Sequence, residues 1–116
     1  MAAVNPLSPQ QLAEWLQSAQ DFWLVDVREP YEWRLADLPS ERMLRLPLSA
    51  LSAQGTAALP EAILPQNTPL VVLCHAGERS RMVAAWMAAN GWNQVYDLTG
   101  GLDAYARLVD PAIGRY

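Results

Sequence analysis

A chain of 116 residues, 52% apolar and 17% charged, has the length and core-forming content of one folded domain, expected over 1–116, and is too apolar to stay disordered. Its net charge is −4 and every basic residue is an Arg, with no basic run, so neither nucleic acid nor an anionic membrane is an expected partner. A single Cys and a single His exclude an internal disulfide and a thiolate-rich zinc site, and no metal is expected.

Met1–Pro6 has no basic n-region and no apolar run, and no stretch approaches membrane-spanning length, so a cytoplasmic protein is expected. Ser8-Pro9-Gln10-Gln11 reads as a helix start, with Ser8 as cap, Pro9 in the first helical position and Gln11 closing a capping box. Leu12, Trp15, Leu16 and Ala19 then share one helical face. Phe22 to Val27 is a short apolar run rich in β formers and predicts a buried strand. Pro30 opens a short helix through Trp33, and Met43–Leu46 is a weaker strand closed by Pro47. Leu48–Ala53 and Thr56–Leu64 predict two short helices separated by Gly55.

Pro69 to Cys74 is the strongest strand: its near-continuous Leu/Val run predicts burial on both faces, as in a parallel sheet covered by helices. A polar turn follows, then a helix over Ser80–Asn90 with Met82, Val83, Trp86 and Met87 as its buried face and Gly91 as its stop. Gln94–Leu98 is a further strand, Gly100-Gly101 a turn, and Leu102–Val109 the last helix. This alternation predicts an α/β domain with a mostly parallel sheet.

Cys74 stands where such sheets bind ligands, at the carboxyl end of the best strand and before a helix N-terminus. The loop Cys74-His75-Ala76-Gly77-Glu78-Arg79 is short. Small residues at Ala76 and Gly77 let its N–H groups converge into an anion nest, and the following helix adds its positive end. Such surroundings favour the thiolate, with Arg79 and Arg81 adding positive charge. His75 is read as an exposed loop side chain, because a thiolate held by dipoles needs no base; Glu78 is read as facing solvent. Trp33 is placed at the pocket mouth, and Gly100 and Gly101 in a turn, with close backbone approach the lesser option.

Leu24-Val25-Asp26-Val27-Arg28-Glu29-Pro30-Tyr31-Glu32, Cys74–Ser80 and Leu98-Thr99-Gly100-Gly101-Leu102-Asp103-Ala104-Tyr105 stand in order and at family spacing, and with the Leu7-Ser8-Pro9 entry they make the chain resemble a rhodanese domain along nearly its whole length. The resemblance implies a three-layer α/β fold with a five-stranded, mostly parallel sheet flanked by helices on both faces. It also implies sulfur transfer through a persulfide on Cys74, without a cofactor. His75, Ala76, Gly77, Glu78, Arg79 and Ser80 would bind substrate, with Arg79 closing the loop and contacting an anionic donor. Asp26 and Arg28 would brace the loop from beneath. Partners implied are a donor such as thiosulfate or a persulfide, and an acceptor such as cyanide, a thiol or a protein. At 36–42 the family's Gly-His-Ile-Pro-Gly-Ala stretch is replaced by Ala36-Asp37-Leu38-Pro39-Ser40-Glu41-Arg42.

Two other classes share the fold. Cysteine-dependent phosphatases of the cell-cycle type have one more residue between Cys and Arg, to hold a phosphate; here four separate Cys74 from Arg79, the sulfurtransferase length. Non-catalytic binding or sulfur-carrier modules often lack the Cys, which this chain keeps.

Overall fold

Leu70, Val71, Val72 and Leu73 are all fully buried, as their unbroken apolar character requires. In the computed structural model, which describes residues 3–116, they form the centre of a five-stranded sheet; of the N-terminal segment read above, Met1 and Ala2 lie outside the described residues. In chain order the elements are β1 (Val4–Leu7), α1 (Pro9–Leu16), β2 (Trp23–Asp26), β3 (Met43–Arg45), α2 (Leu48–Gln54), β4 (Leu70–Leu73), α3 (Glu78–Ala89), β5 (Val95–Leu98) and α4 (Gly101–Leu108). The strand order is β1-β5-β4-β2-β3, and every pairing is parallel.

Alternation along the strands sorts the core into two layers. Val25, Leu70, Val72, Cys74 and Val95 pack with Leu51 of α2 and with Val83, Ala84 and Met87 of α3. Leu24, Val71, Leu73 and Leu98 pack on the opposite face with Leu12 of α1 and with Leu102, Tyr105 and Ala106 of α4. The result is the expected three-layer α/β fold, and it sets Cys74 on the α3 side of the sheet.

Local chemistry explains the agreements and the departures. Ser8 caps α1 with the full capping box: its Oγ accepts from Gln11 N–H, and Gln11 Oε1 accepts from Ser8 N–H. The helix stops at Leu16, where the Ser18 hydroxyl donates to Trp15 O, so Ala19 falls outside the predicted face. β1 has no counterpart among the predicted elements, because Asn5 and Pro6 read as breakers. As an edge strand it leaves one side unpaired, and there a missing N–H is tolerated. The helix expected over 56–64 is instead two 3₁₀ turns, Gly55–Ala58 and Glu61–Ile63, split at Pro60, which cannot continue a helix. Helix α3 starts at Glu78 rather than Ser80, because Gly77 at φ +105° turns the chain directly into it. Met82 is 58% exposed, contrary to its predicted place on the buried face; Ser80, Ala84 and Ala88 complete that face instead. Among the described residues no helix is long and apolar enough to cross a membrane.

Candidate active site

The carboxyl ends of β2, β4 and β5 converge, since Asp26 pairs in register with Leu73 and Val72 with Asp97. Immediately beyond β4 the loop folds over Cys74. The N–H groups of Gly77 and Ser80 donate to Cys74 Sγ at 3.1 and 3.3 Å. Glu78 and Arg79 open α3, so helical geometry leaves their N–H groups without carbonyl partners. N–H donors on sulfur and a helix N-terminus beside it favour negative charge at this point. Cys74, His75, Ala76, Glu78 and Arg79 line an open pocket of about 400 Å³ above the thiol. Glu78 and Ala76 are exposed, and Cys74 is buried at its floor.

The loop is held from below by α4. Leu102 N–H donates to Cys74 O and Asp103 N–H to His75 O, both at 2.9 Å. This docking requires Gly101: at φ +64° a Cβ there would sit 2.5 Å from His75 O and 2.6 Å from Cys74 O. Close backbone approach, the lesser option for this residue, is therefore its main constraint.

Arg79 does not point unpaired into the pocket. Its guanidinium binds Glu32 through two parallel contacts, Nη1 to Oε2 at 2.7 Å and Nη2 to Oε1 at 2.8 Å. Arg79 holds the Glu32 carboxyl at about 2, against the opposing effect of burial, and Glu32 in turn raises Arg79. Glu32 also caps the 3₁₀ turn Pro30–Glu32, of which it is the last residue, its Oε2 accepting from Glu29 N–H at 2.8 Å.

Asp26 and Arg28 form a wholly buried pair, Nη2 to Oδ2 at 3.0 Å. Arg28 makes no hydrogen bond to residues 74–80 among those of the described residues, so it does not brace the loop from directly beneath. Its Nη1 donates instead to Glu32 O, Ala36 O and the Tyr116 hydroxyl. Tyr116 completes the link: its hydroxyl donates to Glu32 Oε1 at 3.1 Å, and its ring lies 4.1 Å from the His75 ring. The pair thus acts on the loop through Glu32 and Tyr116.

His75 is half-buried against Tyr116, with Nδ1 buried and without a hydrogen-bond partner among the described residues, rather than an exposed loop side chain. Trp33 does not line this pocket; the Arg45 guanidinium lies over its ring, 4.9 Å from the centroid. Arg45 also binds Asp37, at 2.8 Å, and Asp26. Within the segment that departs from the family pattern, Asp37 N–H donates to Ile113 O, and Leu38 is buried.

Ser80, on the first turn of α3, carries a second buried contact. Its hydroxyl donates to Asp97 Oδ1 at 2.5 Å, while the Cys74 thiol donates to Ser80 Oγ at 3.4 Å. Burial pushes the Asp97 carboxyl above the ordinary aspartate range, and the Ser80 hydrogen bond opposes that rise. Glu32, Asp97, Gly101 and Tyr116 were not among the candidate site residues. A signal existed for Asp97, since strand alternation sets it on the same face as Val95, toward α3. Tyr116, 42 residues after Cys74, has none.

A family model described as the rhodanese-like domain matches residues 8–108. The chain is 40% identical over 95 residues to a rhodanese-like/PpiC domain-containing protein 12, chloroplastic, of Arabidopsis thaliana, covering 80% of this chain and 30% of that longer protein. It is 29% identical to a sulfurtransferase of Allochromatium vinosum, with 90% of each chain covered. The solved rhodanese-like domain protein of Staphylococcus aureus superposes with a TM-score of 0.71 at 22% identity, over 88% of this chain and 91% of that one. The strand order, the cradle around Cys74 and the family match over 8–108 lead to one assignment: the chain belongs to the rhodanese-like domain family.

Proposed function

We propose that this protein is a sulfurtransferase that carries sulfane sulfur as a persulfide on Cys74. The observation that carries the reading is the buried Sγ receiving N–H groups from Gly77 and Ser80 at the floor of a pocket only a few residues wide. In the first half-reaction the Cys74 thiolate attacks the outer sulfur of a donor such as thiosulfate. A Cys74–sulfur bond forms, the donor's S–S bond breaks, and its electron pair leaves with sulfite. In the second, a thiol, cyanide or protein acceptor attacks the outer sulfur and the Cys74 thiolate is released. Glu78 and Arg79 line the pocket, and their N–H groups, which open α3, are suited to the anionic outer sulfur. Double displacement of this kind gives ping-pong kinetics.

The test is steady-state transfer from thiosulfate, and separately from a glutathione persulfide, to cyanide, with Cys74→Ser as control. Parallel lines in double-reciprocal plots for either donor, absent in Cys74→Ser, support the reading. Hydrolysis of an aryl phosphate without sulfur transfer overturns it in favour of a phosphatase. A folded protein inert in both assays overturns it in favour of a binding module.

A further inference from the structure

Ser80 has one hydroxyl proton and three acceptors within reach: Asp97 Oδ1 at 2.5 Å, Gly77 O at 3.3 Å and Cys74 Sγ at 3.4 Å. The charged, nearest acceptor takes it, so Ser80 Oγ turns a lone pair toward the Cys74 S–H. All three side chains are buried, with Asp97 only 7% exposed, so the contacts form one continuous line from sulfur to carboxylate. The charged groups that act on this line are few. Arg81 of α3 attracts the Asp97 carboxylate, and Arg79 interacts with Cys74. The neighbours of Asp97 in the flanking strands, Pro6 of β1 and Val72 of β4, carry no charge.

We propose that Asp97 is a positioning residue for Cys74, which takes up the thiol proton through Ser80 when the nucleophilic thiolate forms. The Cys74 S–H bond breaks and its proton bonds to Ser80 Oγ. The original Ser80 hydroxyl proton moves to Asp97. The net change is one proton from thiol to carboxylate, with no change of oxidation state. The hydrogen bonds then reverse direction: the Asp97 carboxylic acid donates to Ser80 Oγ, and the Ser80 hydroxyl donates to the thiolate. Sulfur thereby gains a third donor beside the Gly77 and Ser80 N–H groups. Burial, which raises Asp97, makes it the better proton acceptor.

The inference rests on Cys74 as nucleophile, and its test uses no sulfur donor, so it can fail or hold independently of persulfide formation. Cys74 is alkylated with iodoacetamide from about pH 5 to about pH 10, and the rate is read by intact mass for the wild type, D97N, S80A and the double variant. Asp97→Asn keeps the size and an acceptor oxygen but cannot take a proton. Its profile is expected to move up by about one pH unit, a roughly tenfold slower reaction at neutral pH, and to converge with the wild type in alkali, where the thiolate is complete. S80A is expected to shift alike, and the double variant no further than either single one. An unchanged profile overturns the proposal. So does a downward shift, which is what removal of a negative charge alone produces, and so does a drop that is uniform across pH. Should D97N fail to fold, S80A decides by the same criteria.

Discussion

Substitution Glu32→Gln probes the Arg79 clamp in a way that separates charge from shape. The Glu32 carboxyl is lowered from 4.5 to about 2, chiefly by Arg79, and its side chain is only 4% exposed. A shift of that size, at 1.36 kcal/mol per unit, corresponds to roughly 3 kcal/mol of stability at neutral pH. Because the folded-state value lies below the unfolded one, this stability is complete above about pH 4.5. It is lost as the pH falls through about 2. At pH 3 the same two values leave roughly 1.4 kcal/mol. Gln keeps an oxygen that accepts from Arg79 but does not titrate. Urea denaturation of wild type and E32Q at pH 7 and pH 3 therefore has a clear expected outcome: the stability gap narrows by about 2 kcal/mol on acidification. A gap that stays constant between the two pH values would refute the reasoning, since it would mean that Arg79 does not hold Glu32 ionised.

Two further outcomes follow from the packing. Gly101→Ala places a Cβ against Cys74 O and His75 O, so it is expected to cost more than about 2 kcal/mol and to displace the loop; thermal melts and Cys74 alkylation rates measure the two effects. On α3, Met87→Ala is expected to cost about 2–5 kcal/mol and Met82→Ala less than about 0.5 kcal/mol, as measured by urea denaturation; equal costs would contradict the described orientation of the helix.

What the sequence makes legible here is what local patterns encode. β4 and the capping box at Ser8 can be read directly, because an unbroken Leu/Val run and a Ser-Pro-Gln-Gln start each have one physical meaning. The position of Cys74 follows from the strand before it and the helix after it. β1 was hidden, because an edge strand is permitted the Pro that a central strand is not. The exposed place of Met82 is not legible, because apolar character alone does not say which side of α3 meets the sheet. The polar support of the site was least legible. Arg28 turns away toward Ala36 and Tyr116, and Glu32 meets Arg79 across 47 residues, contacts that depend on tertiary placement rather than spacing. Gly101 shows the same limit: a Gly-Gly pair announces a turn, and only the fold reveals the loop carbonyls pressed against it.

The central claim, a persulfide on Cys74, is tested most directly by intact-protein mass spectrometry after incubation with thiosulfate or a glutathione persulfide. The account predicts a gain of one sulfur atom, removed by cyanide and absent in Cys74→Ser. An unmodified wild-type mass with both donors, or a gain that persists in Cys74→Ser, would contradict it.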